Sequence, residues 1–318
     1  MKKSASENST AGDRPFPGGK RIAVLLTALV CTLLWGIGYP IVKLSYPAFG
    51  IEAGDIPAKL LFAGIRFTLA GALTLAYAGA VKKKPALPVG CPWGGICLLS
   101  LFQTVLQYAF TYIGLAYTTG AKSSILNQSN VFLLVLLAPL FFKKEKITWA
   151  KLAGCLVGFI GIVIISLDGS SLAFSFGDMF ILFASVSAAA GYITSKFLNG
   201  RCPPDLMTGW QQSIGGVVLL AAGLLTGGRL GKVTPAGLGY LLLLSFAAAC
   251  SYTLWVKLLQ TSDVSSVSVF KFMTPIFGVL FSGLLLGESI LNLKNLLSLL
   301  FVCVGIYAVH RPRREKEG

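Results

Sequence analysis

Ten apolar segments follow one another along this chain, with only short connections between them. They run near residues 22–45, 58–80, 94–116, 119–142, 148–167, 177–197, 206–226, 236–259, 263–286 and 293–310. A helix needs roughly 20 apolar residues to cross the hydrocarbon core of a bilayer, and the segments match that length. Backbone N–H and C=O groups find no water there, so spanning structure is helical or a closed barrel. Segments of this length are helical. The composition agrees. Only 12% of the 318 residues are charged, against about 25% in a soluble domain. Mean hydropathy is +0.76. The expected fold class is an all-α integral membrane protein of ten transmembrane helices.

The segments divide into two sets of five. Gly38-Tyr39-Pro40-Ile41-Val42-Lys43 closes the first, and Gly191-Tyr192-Ile193-Thr194-Ser195-Lys196 closes the sixth. A shift of 143 residues lays segment four on segment nine without a gap. It brings Thr118 onto Thr261, Ser123 onto Ser266, Gln128 onto Lys271, Leu137 onto Leu280 and Glu145 onto Glu288. Five is odd, so the second half enters the membrane from the other side. The expected organisation is a disordered cytoplasmic tail (1–20), a first five-helix repeat (21–167), an inverted second repeat (168–310) and a basic tail (311–318). Inverted halves around a central cavity are the architecture of many secondary transporters. A duplicated scaffold without transport is the rival reading.

The net charge of +15 does not point to nucleic acid, because the Lys and Arg stand in short runs between apolar segments. With the N-terminus inside, the cytoplasmic connections and tails hold 19 Lys/Arg and the outer ones five. That asymmetry orients the chain with both termini in the cytoplasm of a multi-pass plasma membrane protein, most simply a bacterial one. No signal-peptide cleavage pattern follows the first apolar run. Seven Cys are scattered, Cys31, Cys97, Cys155, Cys250 and Cys303 inside apolar segments, with no C-x-x-C pair and His310 as the sole His. Small buried hydrophobes are the expected role of these Cys. No metal site and no cofactor are expected.

Helix one, "LLWGIGYPIVKL", resembles the opening helix of the drug/metabolite transporter superfamily in its ten-helix EamA branch. So does "AGIRFTLAGALTL" around Arg66. The block 251–288, with Pro275 and the closing Gly287-Glu288, resembles the most recognisable stretch of that family. The first half carries a weaker copy ending Lys144-Glu145, without the Gly. The resemblance covers nearly the whole chain. It implies two inverted halves around a cavity, and export or uptake of amino acids and other small metabolites.

Ionisable groups inside a bilayer are costly and usually functional. The twelve Asp and Glu all lie in tails, connections or helix ends. A proton-coupled cation exporter would want a central carboxylate, which this chain lacks. Lys271 and Arg66 fall deep in their segments. A deep Lys without an acid partner in sequence suits a substrate carboxylate or phosphate. Pairing with helix carbonyls or a wet cleft is the rival reading for both, and for Arg66 a structural or coupling role. Asn127, Gln128 and Asn130 cannot all face lipid. Gln128 and Lys271 are expected near the pseudo-two-fold axis, with interhelical bonding the rival role of the Asn residues. The expected substrate wall is Trp35, Tyr39, Gln107, Tyr108, Asn127, Gln128, Gln211, Tyr252 and Lys271, with Tyr112, Trp210, Gln212 and Trp255 as further candidates. Lys43, Tyr192 and Lys196 are expected at two gates. Pro40, Pro139 and Pro275 are expected kinks.

The sequence therefore predicts a secondary transporter, not an enzyme, moving a small polar metabolite such as an amino acid or related carboxylate. An organic-cation or multidrug exporter of the same fold is the alternative. An intramembrane enzyme is the remote one, since no acid/base cluster reaches membrane depth. The expected partners are the substrate and the lipid bilayer. The chain is expected to be a monomer, with Gly154, Gly158 and Gly161 as the seam a homodimer would use.

Overall fold

The structure, a computed structural model, describes residues 18–82, 90–142, 148–168, 171–172, 175–198, 200–261 and 269–310. Within them run ten helical segments: α1 (Gly18–Ala48), α2 (Ile56–Lys82), α3 (Trp93–Tyr117), α4 (Gly120–Phe141), α5 (Trp149–Ser166), α6 (Phe176–Leu198), α7 (Pro204–Leu225), α8 (Pro235–Thr261), α9 (residues 269–286) and α10 (Leu293–His310). The expected tails lie mostly outside the described residues, but residues 18–20 are helical and begin α1. Leu167–Asp168 pairs antiparallel with Ser171–Leu172 and closes the α5–α6 connection.

Local chemistry sets the helix starts. Pro203 and Pro204 open α7, where a missing N–H costs nothing. At the head of α6, the Ser175 and Asp178 side chains each accept from the other's backbone N–H, a reciprocal capping box. Thr234 Oγ1 accepts from Gly237 N at the head of α8 and donates to the Ala48 carbonyl at the end of α1.

The packing repeats when the halves are exchanged. α1 packs on α8 and α9, while α6 packs on α3 and α4; α2 lies on α7, and α5 on α10. Two inverted five-helix halves thus enclose a central cavity. The α2–α7 contact needs glycine. A Cβ on Gly64 would stand 2.2 Å from Leu220 N, and one on Gly216 2.3 Å from Thr68 N. The Gly154–Gly161 face is covered by α10 of the same chain: Ser298 Oγ donates to the Gly161 carbonyl at 2.8 Å. The bundle end where α1 begins and α10 ends is the terminal face below, and the other the opposite face.

Two expectations need correction. Pro275 is the third residue of the helix Met273–Leu286, so it breaks no interior hydrogen bond. Cys91 and Cys202 are joined in a disulfide, whereas Cys31, Cys97, Cys155, Cys250 and Cys303 are free. The sequence offered no spacing to pair these two, since 111 residues separate them.

Candidate functional site

Three helices lose regular geometry at the level of the cavity. α3 contains a π-helical turn over Leu101–Leu106, just before Gln107. α4 breaks at Asn127 and Gln128, between Gly120–Leu126 and Ser129–Phe141. α9 opens with a 3-10 turn, Val269–Phe272, before its α-helix. The shift of 143 carries residues 127 and 128 onto 270 and 271, so both halves distort their fourth helix at one register. Backbone irregularity at membrane depth is tolerated where it lines a cavity. Lys271 therefore belongs to a 3-10 turn and not to the interior of an α-helix; residues 262–268 before it lie outside the described ones.

The cavity is open to solvent and holds about 90 Å³ of water-accessible volume. Trp35, Tyr39, Arg66, Gln107, Tyr108, Asn127, Gln128, Tyr192, Tyr252 and Lys271 all line it. Gln128 and Lys271 thus face one space, as the repeat predicts. Gln211 does not line it. Its side chain is buried and donates to Thr104 Oγ1 at 3.0 Å, joining α7 to the π turn of α3. Lys43 stands at the opposite face and Lys196 is exposed. Trp210 meets Trp93 edge to face outside the cavity, at 5.3 Å between centroids.

Arg66 is held by aromatic groups. Its Nη1 donates to the Tyr112 hydroxyl at 2.8 Å and its Nε to the Leu244 carbonyl at 3.3 Å. The guanidinium carbon lies 4.7 Å from the Phe67 ring centroid and 5.6 Å from that of Tyr108. A guanidinium has five N–H donors, so donors remain for the cavity. Tyr108 and Tyr252 share a hydroxyl–hydroxyl bond of 2.8 Å. Lys271 Nζ stands 3.9 Å from the Tyr192 centroid and 5.6 Å from Trp255. Trp35 touches Tyr252 and Trp255, with centroids 5.9 and 5.0 Å away. Asn127 bridges helices as well as lining the space: Nδ2 donates to the Tyr39 hydroxyl, and Oδ1 accepts from Ser185 of α6 at 3.3 Å. The Asn130 amide returns to the Asn127 carbonyl.

Two lining groups lack partners. Trp35 Nε1 is a buried donor without an acceptor, and Gln107 Oε1 a buried acceptor without a donor. An unmade buried hydrogen bond costs roughly 1–3 kcal/mol, so both favour a ligand that supplies the missing half. Among the described lining residues two are cationic and none is a carboxylate. Sequence reasoning missed Thr111, Ser251 and Thr274, which also line the cavity with Asn130. Helical spacing could have found two of them. Thr111 follows Gln107 by four residues, and Thr274 follows Lys271 by three.

Six of the helices are long and apolar enough to cross a membrane. A solved crystal structure has the same fold, with a TM-score of 0.61 at 20% identity over 90% of this chain and 96% of its own. An uncharacterized transporter from Synechocystis is 30% identical over 92% of this chain and 91% of its own length. A chloroplastic WAT1-related protein from Arabidopsis thaliana is 27% identical over 96% of this chain and 73% of its own. A probable amino-acid metabolite efflux pump from Salmonella typhimurium is 26% identical over 88% and 92%. Residues 22–167 and 175–311 each match the EamA-like transporter family. The chain carries that match twice, over both five-helix sets, and belongs to the EamA-like transporter family within the drug/metabolite transporter superfamily.

Proposed function

We propose that the protein is a secondary transporter that moves a small metabolite bearing a carboxylate, an amino acid foremost, by alternating access. The observation that carries this is the charge of the cavity: Arg66 and Lys271 line it with no described carboxylate. Lys271 takes the substrate carboxylate, assisted by the unpartnered Trp35 Nε1. Gln107 Oε1, also unpartnered, accepts from the substrate ammonium. Asn127 and Gln128 bond the polar head, and Tyr39, Tyr108, Tyr192 and Tyr252 pack its apolar part. Arg66, held by Tyr112 and Leu244, fixes the positive field and ties α2 to α3 and α8.

The halves rock about the glycine contact of α2 with α7, opening each end of the cavity in turn. The excess of Lys and Arg in the connections supports a plasma membrane orientation with the terminal face in the cytoplasm. Lys43 gates the opposite mouth; Tyr192 and Lys196 gate the terminal one. The name of the Salmonella relative favours the same substrate class. An organic-cation exporter is disfavoured, because the rings that would hold a cation already face Lys271 and Arg66.

Uptake of a labelled amino-acid mixture into proteoliposomes, competed by single amino acids and by tetraphenylphosphonium, tests this. Competition by amino acids and not by the cation is expected. Competition by the cation alone overturns the carboxylate reading and favours the exporter.

A further inference from the structure

Two observations disagree about the terminal face. In sequence, its connections carry Lys82-Lys83-Lys84 after α2, and Arg201 between α6 and α7. Such runs mark a face turned to the cytoplasm. Yet the same two connections hold Cys91 and Cys202, which are bonded to each other. Disulfides are rare in reducing cytoplasm, and those that form there are mostly transient, catalytic or redox-sensing. The bond lies among Ile96, Leu99, Leu198 and Leu206, where α3, α6 and α7 meet. Cys91 and Cys202 keep 7% and 6% of their surface exposed. One cysteine belongs to each half.

We propose that Cys91 and Cys202 form a reversible redox site on the cytoplasmic side of the protein; this rests on the orientation proposed above. In the reduced state they are two thiols. A small disulfide of the glutathione type is the oxidant. One cysteine thiolate attacks a sulfur of that disulfide, forms a mixed disulfide and releases one small thiol. The second cysteine thiolate then attacks the protein sulfur and displaces the other small thiol. The protein pair loses two electrons and two protons, and the small disulfide gains both as two thiols. The closed bond ties the α2–α3 connection to the α6–α7 connection, one half to the other.

The full-length protein in lipid nanodiscs is equilibrated with glutathione buffers from reducing to oxidising, quenched with acid and tagged with a maleimide of high mass. Two tags should disappear together across the series, and Cys91→Ser should abolish that transition. A bond that survives the most reducing buffer overturns the redox site. Orientation is read separately. A variant keeping Cys91 as its sole cysteine, checked for a single size-exclusion peak, is exposed to an impermeant maleimide. Labelling only in permeabilised cells supports a cytoplasmic site, whereas labelling in intact cells overturns the orientation and the proposal with it.

Discussion

At the opposite face two lysines meet carboxylates, whereas on the terminal side of the molecule two lysines have aromatic rings among their contacts. Lys43 reaches Glu288 at 3.4 Å and the Thr118 carbonyl at 3.1 Å. Lys122 reaches Asp178 at 2.6 Å. The Glu288 carboxylate also accepts from Gly120 N and Ala121 N, capping α4. These contacts bind α1, α4, α6 and the α9–α10 connection into one polar seal. At the other end, Lys271 lies over Tyr192 and Trp255, and Lys196 stands 4.3 Å from the Phe142 ring centroid. Lys43 and Lys196 are repeat equivalents, and Glu145, the counterpart of Glu288, lies outside the described residues. The Lys122–Asp178 pair was not copied: the repeat shifts carry Lys122 onto Ser265 and Asp178 onto Leu25. The inverted halves therefore share a scaffold but differ in this contact.

The strongest way to break this contrast is Asp178→Ala. The Asp178 side chain is fully buried and accepts from Lys122, Thr118 and the Ser175 backbone. Its loss removes the α6 capping box and strands one end of an ion pair. Removing one partner of a buried pair costs about 3–5 kcal/mol. Lys122 is partly exposed and can turn to water, which puts the expected loss near the lower bound. Thermal unfolding in nanodiscs should show a clear fall in Tm, and Lys122→Met should recover part of it in the double variant. An unchanged Tm would remove Asp178 from the seal.

The second test probes the terminal side. Lys271→Gln removes the charge and leaves a shorter polar side chain beside Tyr192. A hydrogen bond to a charged group contributes about 1.5–3 kcal/mol, so binding of a carboxylate substrate should weaken roughly 10- to 100-fold. Isothermal titration with the amino acids that compete in transport measures this. Unchanged affinity would reduce Lys271 to a structural cation over Tyr192. Tm should move little, because the ammonium has rings and not a carboxylate beside it.

Much of this was legible before any coordinates. Apolar segment length fixes ten helices, because lipid leaves the backbone few solutions. The odd repeat implies inversion, and the polar residues at membrane depth (Arg66, Asn127, Gln128, Lys271) do converge on one space. Other features depend on contacts that periodicity cannot show. Gln211 and Gln212 read alike in sequence, but Gln211 faces Thr104 while Gln212 is buried with neither amide atom partnered. The break at Asn127 and Gln128 left no Pro or Gly to betray it. Glu288 reads as a helix-end residue, yet its carboxylate spans from Lys43 to the head of α4. The Cys91–Cys202 pair was hidden by its sequence separation and by the lysines that surround it, which argue for a reducing compartment.

The smallest effect belongs to Lys43, and its salt dependence is the finest probe of the contrast. The Lys43 and Glu288 side chains are 27% and 14% exposed, so water screens the pair and its net value is about 0.2–1 kcal/mol. Lys43→Gln removes the charge of the pair and leaves a neutral polar side chain in its place. Maleimide labelling of Leu115→Cys from the opposite face should then quicken by a few-fold at low ionic strength. At 1 M salt, where the Debye length falls to about 3 Å, the unsubstituted latch should open as readily as the variant, and the two rates should converge. If the two rates differ as much at 1 M salt as at low ionic strength, the Lys43–Glu288 pair does not hold the opposite mouth shut.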